Sequence, residues 1–134
     1  MERREDKLFL FGCVRRKWLV ATPEELVRQL FLYHLTERAA FPSNRLSVEK
    51  LIKLHGLSRR TDILVYDRTT KPWLLVECKR PEVRLDDAVF RQIAWYNMPL
   101  KVPYLVVTNG RETYICAIDH EQRSFKFLAE LPKY

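Results

Sequence analysis

Glycine is scarce in this chain: 134 residues hold three, Gly12, Gly56 and Gly110. None lies in a GxxxxGK(S/T) pattern, which excludes a phosphate-cradling P-loop and the nucleotide-driven motors built on it. Cysteine is equally sparse. Cys13, Cys78 and Cys116 are an odd number without metal-type spacing, each in or beside an apolar strand-like run, so a disulfide framework is excluded and buried, reduced thiols are expected. His34, His55 and His120 stand isolated, which argues against a histidine-based metal centre. No apolar run reaches the length of a membrane span, and the charged start MERREDK leads to a short strand, not to a secretory leader. A cytoplasmic protein without membrane contact is expected. With no repeat, linker or low-complexity stretch, residues 1–134 are expected to form one domain, a hairpin extension over 1–21 and a core over 22–134.

The chain is 47% hydrophobic with seven Phe, three Trp and six Tyr, enough for one core of ordinary size. Lys and Arg outnumber Asp and Glu by 24 to 17, a net charge of +7, and such a surplus favours polyanions through counterion release. The basic residues come in small clusters, Arg3-Arg4, Arg15-Arg16-Lys17, Arg59-Arg60 and Lys79-Arg80.

Along the chain, Leu8 to Cys13 and Trp18 to Ala21 predict an N-terminal hairpin. Thr22-Pro23-Glu24-Glu25 predicts a helix start, with Thr22 as N-cap, Pro23 at the first helical position and Glu25 completing a capping box. Its apolar residues carry the helix to about Glu37. Leu46 to Leu54 suits a strand or a helix by periodicity. Leu85 to Asn97 has the period of a helix, with Val89, Ile93 and Tyr96 on one stripe and Met98-Pro99 ending it. On the residues alone, Gln92 reads as surface and Tyr96 as core. Pro103 to Thr108 is an apolar run of the kind buried on both faces. Asn109-Gly110 is a tight turn into Thr113 to Ile118, and Phe125 to Leu128 is a last strand or a short helix.

The informative stretch is Arg60 to Lys79. Ile63-Leu64-Val65-Tyr66 and Trp73-Leu74-Leu75-Val76 flank turn-type residues, which is a hairpin pattern. Pairing Tyr66 with Trp73 and counting outward sets Asp62 opposite Glu77 and Arg60 opposite Lys79, with opposed Cβ atoms about 5 Å apart. Glu77 and Lys79 then share a face and Cys78 points away. Two acids side by side in strands this apolar repel unless something compensates. A divalent cation such as Mg²⁺ suits two carboxylates, with a lysine beside it to hold the attacking water. The alternative is an ion pair of Glu77 with Lys79 or Arg60, with Asp62 at a solvated strand edge; spacing leaves both open.

Asp62 followed by Glu77-Cys78-Lys79 after an apolar strand resembles the D…ExK signature of the PD-(D/E)xK nuclease superfamily. More narrowly, TPEELVRQ (22–29), RRTDILVYD (59–67), LLVECKRP (74–81), RQIAWYN (91–97) and VTNG (107–110) resemble, in order, the N-terminal nuclease domain of type I restriction enzyme R subunits, in particular small stand-alone forms. Thr61 stands where the superfamily has proline, which is no ligand. The resemblance implies that Leu46 to Leu54 is a strand and that the fold is α/β, a restriction-endonuclease-like αβββαβ core with a mixed sheet flanked by helices.

It further implies DNA phosphodiester hydrolysis, with Asp62 and Glu77 holding Mg²⁺ (Mn²⁺ substituting) and Lys79 positioning the nucleophile. An acid on the first helix often joins such a site. Glu25 is the matching position, its capping role standing as the alternative, and Glu49 is a second candidate. Gln92 and Tyr96 match a QxxxY element whose glutamine faces the active site. Arg59, Arg60, Arg80 and Tyr96 are the expected nucleic-acid contacts, and the expected partners are DNA and other restriction-system subunits, with homo-oligomers compatible. Motor and sequence-reading functions are expected on other chains. The rival reading is a nuclease-fold module that binds without cutting; a repair or mobile-element nuclease is a third. In either nuclease reading, facing acids predict that a cation stabilises the fold and that Asp62→Asn stabilises the metal-free protein.

Overall fold

The computed structural model describes residues 1–4 and 7–134. Strands β1 (Glu2–Arg4), β2 (Lys7–Gly12) and β3 (Lys17–Val20) form a small antiparallel sheet. The expected hairpin is its β2–β3 part, whose turn places Arg16 at a φ of 55°. Cys13, in the β2–β3 turn, is exposed and not buried as expected, because it follows the last paired residue of β2 and lies outside the sheet's ladder.

Helix α1 (Pro23–Tyr33) starts as its sequence predicts, with Thr22 Oγ1 accepting from the Glu25 N–H at 3.1 Å. The reciprocal half of the capping box is missing. The Glu25 carboxylate is drawn instead to Arg15, Arg28 and Gln29, and the Thr22 N–H donates to the Val20 carbonyl. Past Tyr33 the chain widens into a π-helical turn, His34–Arg38, closed by the Ala39 N–H on the His34 carbonyl at 2.9 Å. The helical segment therefore ends where expected, with a different final turn.

The remaining strands are β4 (Leu46–Leu54), β5 (Leu57–Tyr66), β6 (Pro72–Cys78), β7 (Tyr104–Thr108), β8 (Thr113–Asp119) and β9 (Ser124–Leu128), with α2 (Asp87–Asn97) between β6 and β7. They make one six-stranded sheet in sequence order. The pair β6–β7 is parallel and its neighbours are antiparallel, so the sheet is mixed. Alternation of side chains lets both faces be apolar. Ile63, Val65, Leu74, Val76, Cys78 and Val106 pack beneath Val27, Phe31 and Leu32 of α1. Leu64, Leu75, Leu105, Val107 and Cys116 pack against Phe90, Ile93 and Ala94 of α2. Leu105, Val106 and Val107 are thus buried on both faces, as a parallel strand between helices should be. Among the described residues no helix is long and apolar enough to cross a membrane.

Two sequence expectations shift. In α2 the buried stripe is Phe90, Ile93, Ala94 and Asn97, while Tyr96 is 59% exposed. Phe90 sets this rotation, its ring lying 4.9 Å from that of Phe127 and 5.6 Å from those of Tyr114 and Phe125. In the central hairpin Ile63, Leu64 and Val65 pair with Val76, Leu75 and Leu74 as counted, but a bulge then pairs Tyr66 with Pro72 in place of Trp73. The cause is a closed turn: Asp67 Oδ1 accepts from the N–H groups of Thr69 and Lys71 at 2.8 and 3.0 Å, with Thr70 at a φ of 67°.

Candidate active site

One row of the sheet carries three acids. Val48 and Lys50 of β4 pair with Ile63 and Thr61 of β5, so Glu49 falls opposite Asp62. The β5–β6 register ends at Ile63 and Val76, one step short of Asp62 and Glu77. Glu49 has a φ of 51°, unusual for a residue with a Cβ, and the ladder turns over there. Val48 packs on the α1 side of the sheet and Ile52 on the α2 side, although period-two alternation alone would put both on one side.

Asp62, opposite this break, bonds to both α1 and β6. Its Oδ1 accepts from Arg28 Nη2 at 3.0 Å and its Oδ2 accepts from the Cys78 N–H at 2.7 Å, a side-chain bond just past the last registered pair of β5 and β6. Arg28, with 5% of its side chain exposed, also meets Glu25 Oε1 at 2.8 Å, Glu24 Oε1 at 3.4 Å and Glu49 Oε1 at 3.5 Å. Arg15, from the β2–β3 turn, bridges Glu25 at 2.7 Å and Glu49 at 2.9 Å. Burial works against the Arg28 charge, but Asp62, Glu25 and Glu49 outweigh it and raise its pKa. Burial likewise works against the Glu25 charge, and hydrogen bonds from Gln29 and Arg15 together with Arg28 outweigh it, so the carboxyl sits below its ordinary range. Two arginines therefore supply the compensation that the sequence suggested a cation would.

Glu77 is in a different state. Its Oε1 lies 3.6 Å from Lys79 Nζ, while Oε2 is buried with no hydrogen-bond partner among the described residues. Burial, helped by the nearby Asp62 charge, raises its pKa; Lys79 and Asn97 pull the other way without overcoming it. Cys78 points away into the α1-side core, and burial raises its thiol pKa; that of Cys116 is pushed up to about 11. Neither is a nucleophile at neutral pH.

The structure brings together Asp62, midway along β5, Glu77 and Lys79, at the C-terminal end of β6, and Glu25 of α1, which is linked to Asp62 through Arg28. Gln92 and Tyr96 lie on the exposed outer face of α2, and no hydrogen bond joins Gln92 to these groups among the described residues. The α2 side chain that bears on Glu77 is Asn97, 8% exposed and donating to the Ile93 carbonyl at 3.0 Å. Its position on the buried stripe, one turn after Ile93, was the available signal. Arg60 pairs with Leu51 of β4 and not with Lys79, because the β5–β6 register stops before reaching it. Arg59 stacks over the Tyr96 ring at 4.3 Å, and Arg80 is exposed beside the acids. In the sequence Arg15 stands out only as part of a basic cluster and Arg28 has no role beside the acids, although Glu24 and Glu25 stand four and three residues before Arg28, the spacing of helical ion pairs.

Among the described residues no group of three or more His, Cys, Asp or Glu side chains is arranged to hold a metal ion. The donors nevertheless suit one hard cation: the unpartnered Glu77 Oε2 is the type of buried oxygen such an ion satisfies, and Asp62 can join once Arg28 leaves Oδ1. A cavity of about 770 Å³ lies elsewhere, between the C-terminal half of α1 and residues 129–133. Its lining includes none of these acids, so the chemistry is read from the acid row.

A family model described as the type I restriction enzyme R protein N terminus (HSDR_N) matches residues 23–132. No curated protein matches the chain. Among solved structures, a fragment described as an HsdR subunit of a type I restriction enzyme from Vibrio vulnificus YJ016 superposes with a TM-score of 0.56 at 17% identity, over 84% of this chain. That is a likeness of fold. The superposition covers 24% of that chain, so this protein spans about a quarter of its relative.

Proposed function

The chain belongs to the type I restriction enzyme R protein N-terminus family, and from that membership we propose that it is a metal-dependent deoxyribonuclease domain of the restriction-endonuclease-like, PD-(D/E)xK kind. One observation carries this reading. Asp62 and Glu77 lie on adjacent strands of one hairpin, Lys79 stands 3.6 Å from Glu77, and Glu77 Oε2 lacks, among the described residues, a hydrogen-bond partner that a cation would replace. Asp62 and Glu77 would hold Mg²⁺ or Mn²⁺, which when bound polarises water and offsets charge on the phosphorane. Lys79, anchored by its backbone N–H to the Thr108 carbonyl at 2.8 Å, holds the attacking water by its ammonium group. Glu25 keeps Arg15 and Arg28 beside the row and is a weaker candidate ligand, because its carboxylate is already committed to both. Arg59, Arg60, Arg80 and Tyr96 would contact the nucleic acid, and Gln92 would act only on a substrate lying across α2. Other restriction-system subunits would be partners.

A second reading, a nuclease-fold module that binds DNA without cutting, is favoured by Arg28 already occupying Asp62. Linear, circular, single-stranded and methylated DNA incubated with Mg²⁺, Mn²⁺ or EDTA separates the two. Metal-dependent cleavage lost in Glu77→Ala supports the nuclease; retention on DNA without cleavage under any divalent metal supports the module. Cleavage by Glu77→Ala at the parental rate would remove the site.

A further inference from the structure

Between the N-terminal hairpin and α1 lies a cleft of about 550 Å³ whose walls carry Arg15, Lys17, Arg28 and Arg80 as well as Glu24, Glu25 and Glu49. Arg15 and Lys17 come from the hairpin, outside the family-matched residues 23–132. Side-chain exposure is only 16% for Arg15 and 5% for Arg28, and the Nε of each is buried with no hydrogen-bond partner among the described residues. Buried donors of this kind ordinarily find an acceptor. Both guanidiniums are already turned toward oxyanions, and the guanidinium fork that fits a carboxylate fits a phosphate equally well. Among the acids that Arg28 now binds is Asp62, one of the two carboxylates proposed for the cation.

Building on the nuclease reading, we propose that this cleft is a phosphodiester subsite: a strand phosphate entering between hairpin and α1 takes Arg28 and Arg15 from their carboxylates, and the exchange frees Asp62 Oδ1 for the divalent cation. Lys17 and Arg80 on the same walls favour a polyanionic strand over a neutral ligand. An acidic protein segment is less suited, since the cleft already holds carboxylates that would have to be displaced by weaker copies of themselves. The arginines act as a gate on the acid row, closed in the free protein and opened by substrate. Metal and DNA then assist each other's binding, and the assistance is reciprocal.

The test uses the full chain, with Mn²⁺ affinity measured by electron paramagnetic resonance and the affinity for a labelled DNA oligonucleotide measured by anisotropy in EDTA. Arg28→Met should bind Mn²⁺ about fivefold or more tightly than the parent and bind the oligonucleotide about fivefold or more weakly. Lys126→Met, an equal loss of charge on β9 at the far edge of the sheet, serves as the control. Arg15→Met should show the same opposed changes to a smaller extent, and it decides the matter if Arg28→Met does not fold. If both affinities fall together, the arginines are struts only. If the oligonucleotide affinity of the arginine variants drops no more than that of Lys126→Met, the subsite is wrong. Glu77→Gln separates the two readings: were it to bind Mn²⁺ as the parent does, the cation site fails on its own, and the EDTA measurements alone judge the phosphate subsite.

Discussion

Arg28 donates to Asp62 across 3.0 Å and joins α1 to β5 at the row where Glu77, one strand away, keeps an oxygen with no hydrogen-bond partner among the described residues. The two acids that the sequence pairs as equals are therefore in unlike electrostatic states.

Their substitutions should act in opposite directions on the metal-free protein. Asp62→Asn takes one carboxylate from Arg28, 5% exposed, at a cost of about 1 kcal/mol, below the figure of about 3 kcal/mol for a buried charge left alone because Glu25 still pairs with Arg28 at 2.8 Å and Asp62 itself is 20% exposed. The melting temperature should fall, a reversal of what facing carboxylates alone imply. An Asp62→Asn protein more stable than the parent without metal would show that the arginine pairing does not operate.

Glu77→Gln should instead raise the metal-free melting temperature at neutral pH. Because the folded protein raises the Glu77 pKa, its contribution to stability is fully present below the ordinary value of 4.5 and is lost as pH rises through the folded pKa. The gain from glutamine should vanish in melts below about pH 4.5 and reach its plateau above the folded pKa. An equal gain at all pH values would locate its origin outside this titration.

Millimolar Mn²⁺ or Mg²⁺ should stabilise the parent and not Glu77→Gln. At a hundredfold excess over the dissociation constant, linkage gives about 2.7 kcal/mol, roughly 10 °C for a domain of this size. Having to displace Arg28 from Asp62 should keep the observed shift below that ceiling. A Glu77→Gln protein that gains as much as the parent places the cation elsewhere.

Lys79→Ala should slow metal-dependent DNA cleavage by about a hundredfold or more, the scale set by losing a group that handles the reacting water, while leaving oligonucleotide affinity in EDTA within about threefold, as expected for a single partly exposed charge. Equal cleavage rates would strip Lys79 of its role.

Tyr96→Ala and Arg59→Ala remove the two halves of one stacked pair, 4.3 Å apart. If the outer face of α2 contacts nucleic acid, each should weaken oligonucleotide binding and the double variant should fall well short of the sum, since either change already breaks the pair. Full additivity would mean that the two contact DNA separately or not at all.

Much of the sheet was legible because its signals are local. The Asn109-Gly110 turn, closed by Asn109 Oδ1 on two N–H groups and by Gly110 at a φ of 87°, is written in two residues. Counting outward from the central hairpin placed Ile63 to Val65 correctly, and the error at Tyr66 came from a single Asp67 side chain that fixed the turn size. The acid row was legible only in part. Asp62 and Glu77 lie on the two strands of one hairpin, one step past its last registered pair, whereas Arg15 and Arg28 arrive from the N-terminal turn and from α1 by tertiary packing that no periodicity encodes. The inversion at Glu49 was equally hidden: alternation assumes that every residue of a strand has extended dihedrals, and one left-handed residue is enough to break it.

The parallel joint between β6 and β7 bears on how the chain reaches this state. Every acid of the row, and Arg28 with them, belongs to α1 and the β4–β6 meander, while β7–β9 form a second meander joined to the first through α2. Within each meander contacts are close in sequence and form early; the crossover must close a far longer loop before β7 gains anything from β6. Pulse-labelled hydrogen exchange during refolding should find the amides of β5 protected by β4 before those of β7 are protected by β8 and β6 together. The charged half of the molecule would then exist for a time without the wall that buries Glu77, an interval in which that carboxyl is hydrated and costs nothing.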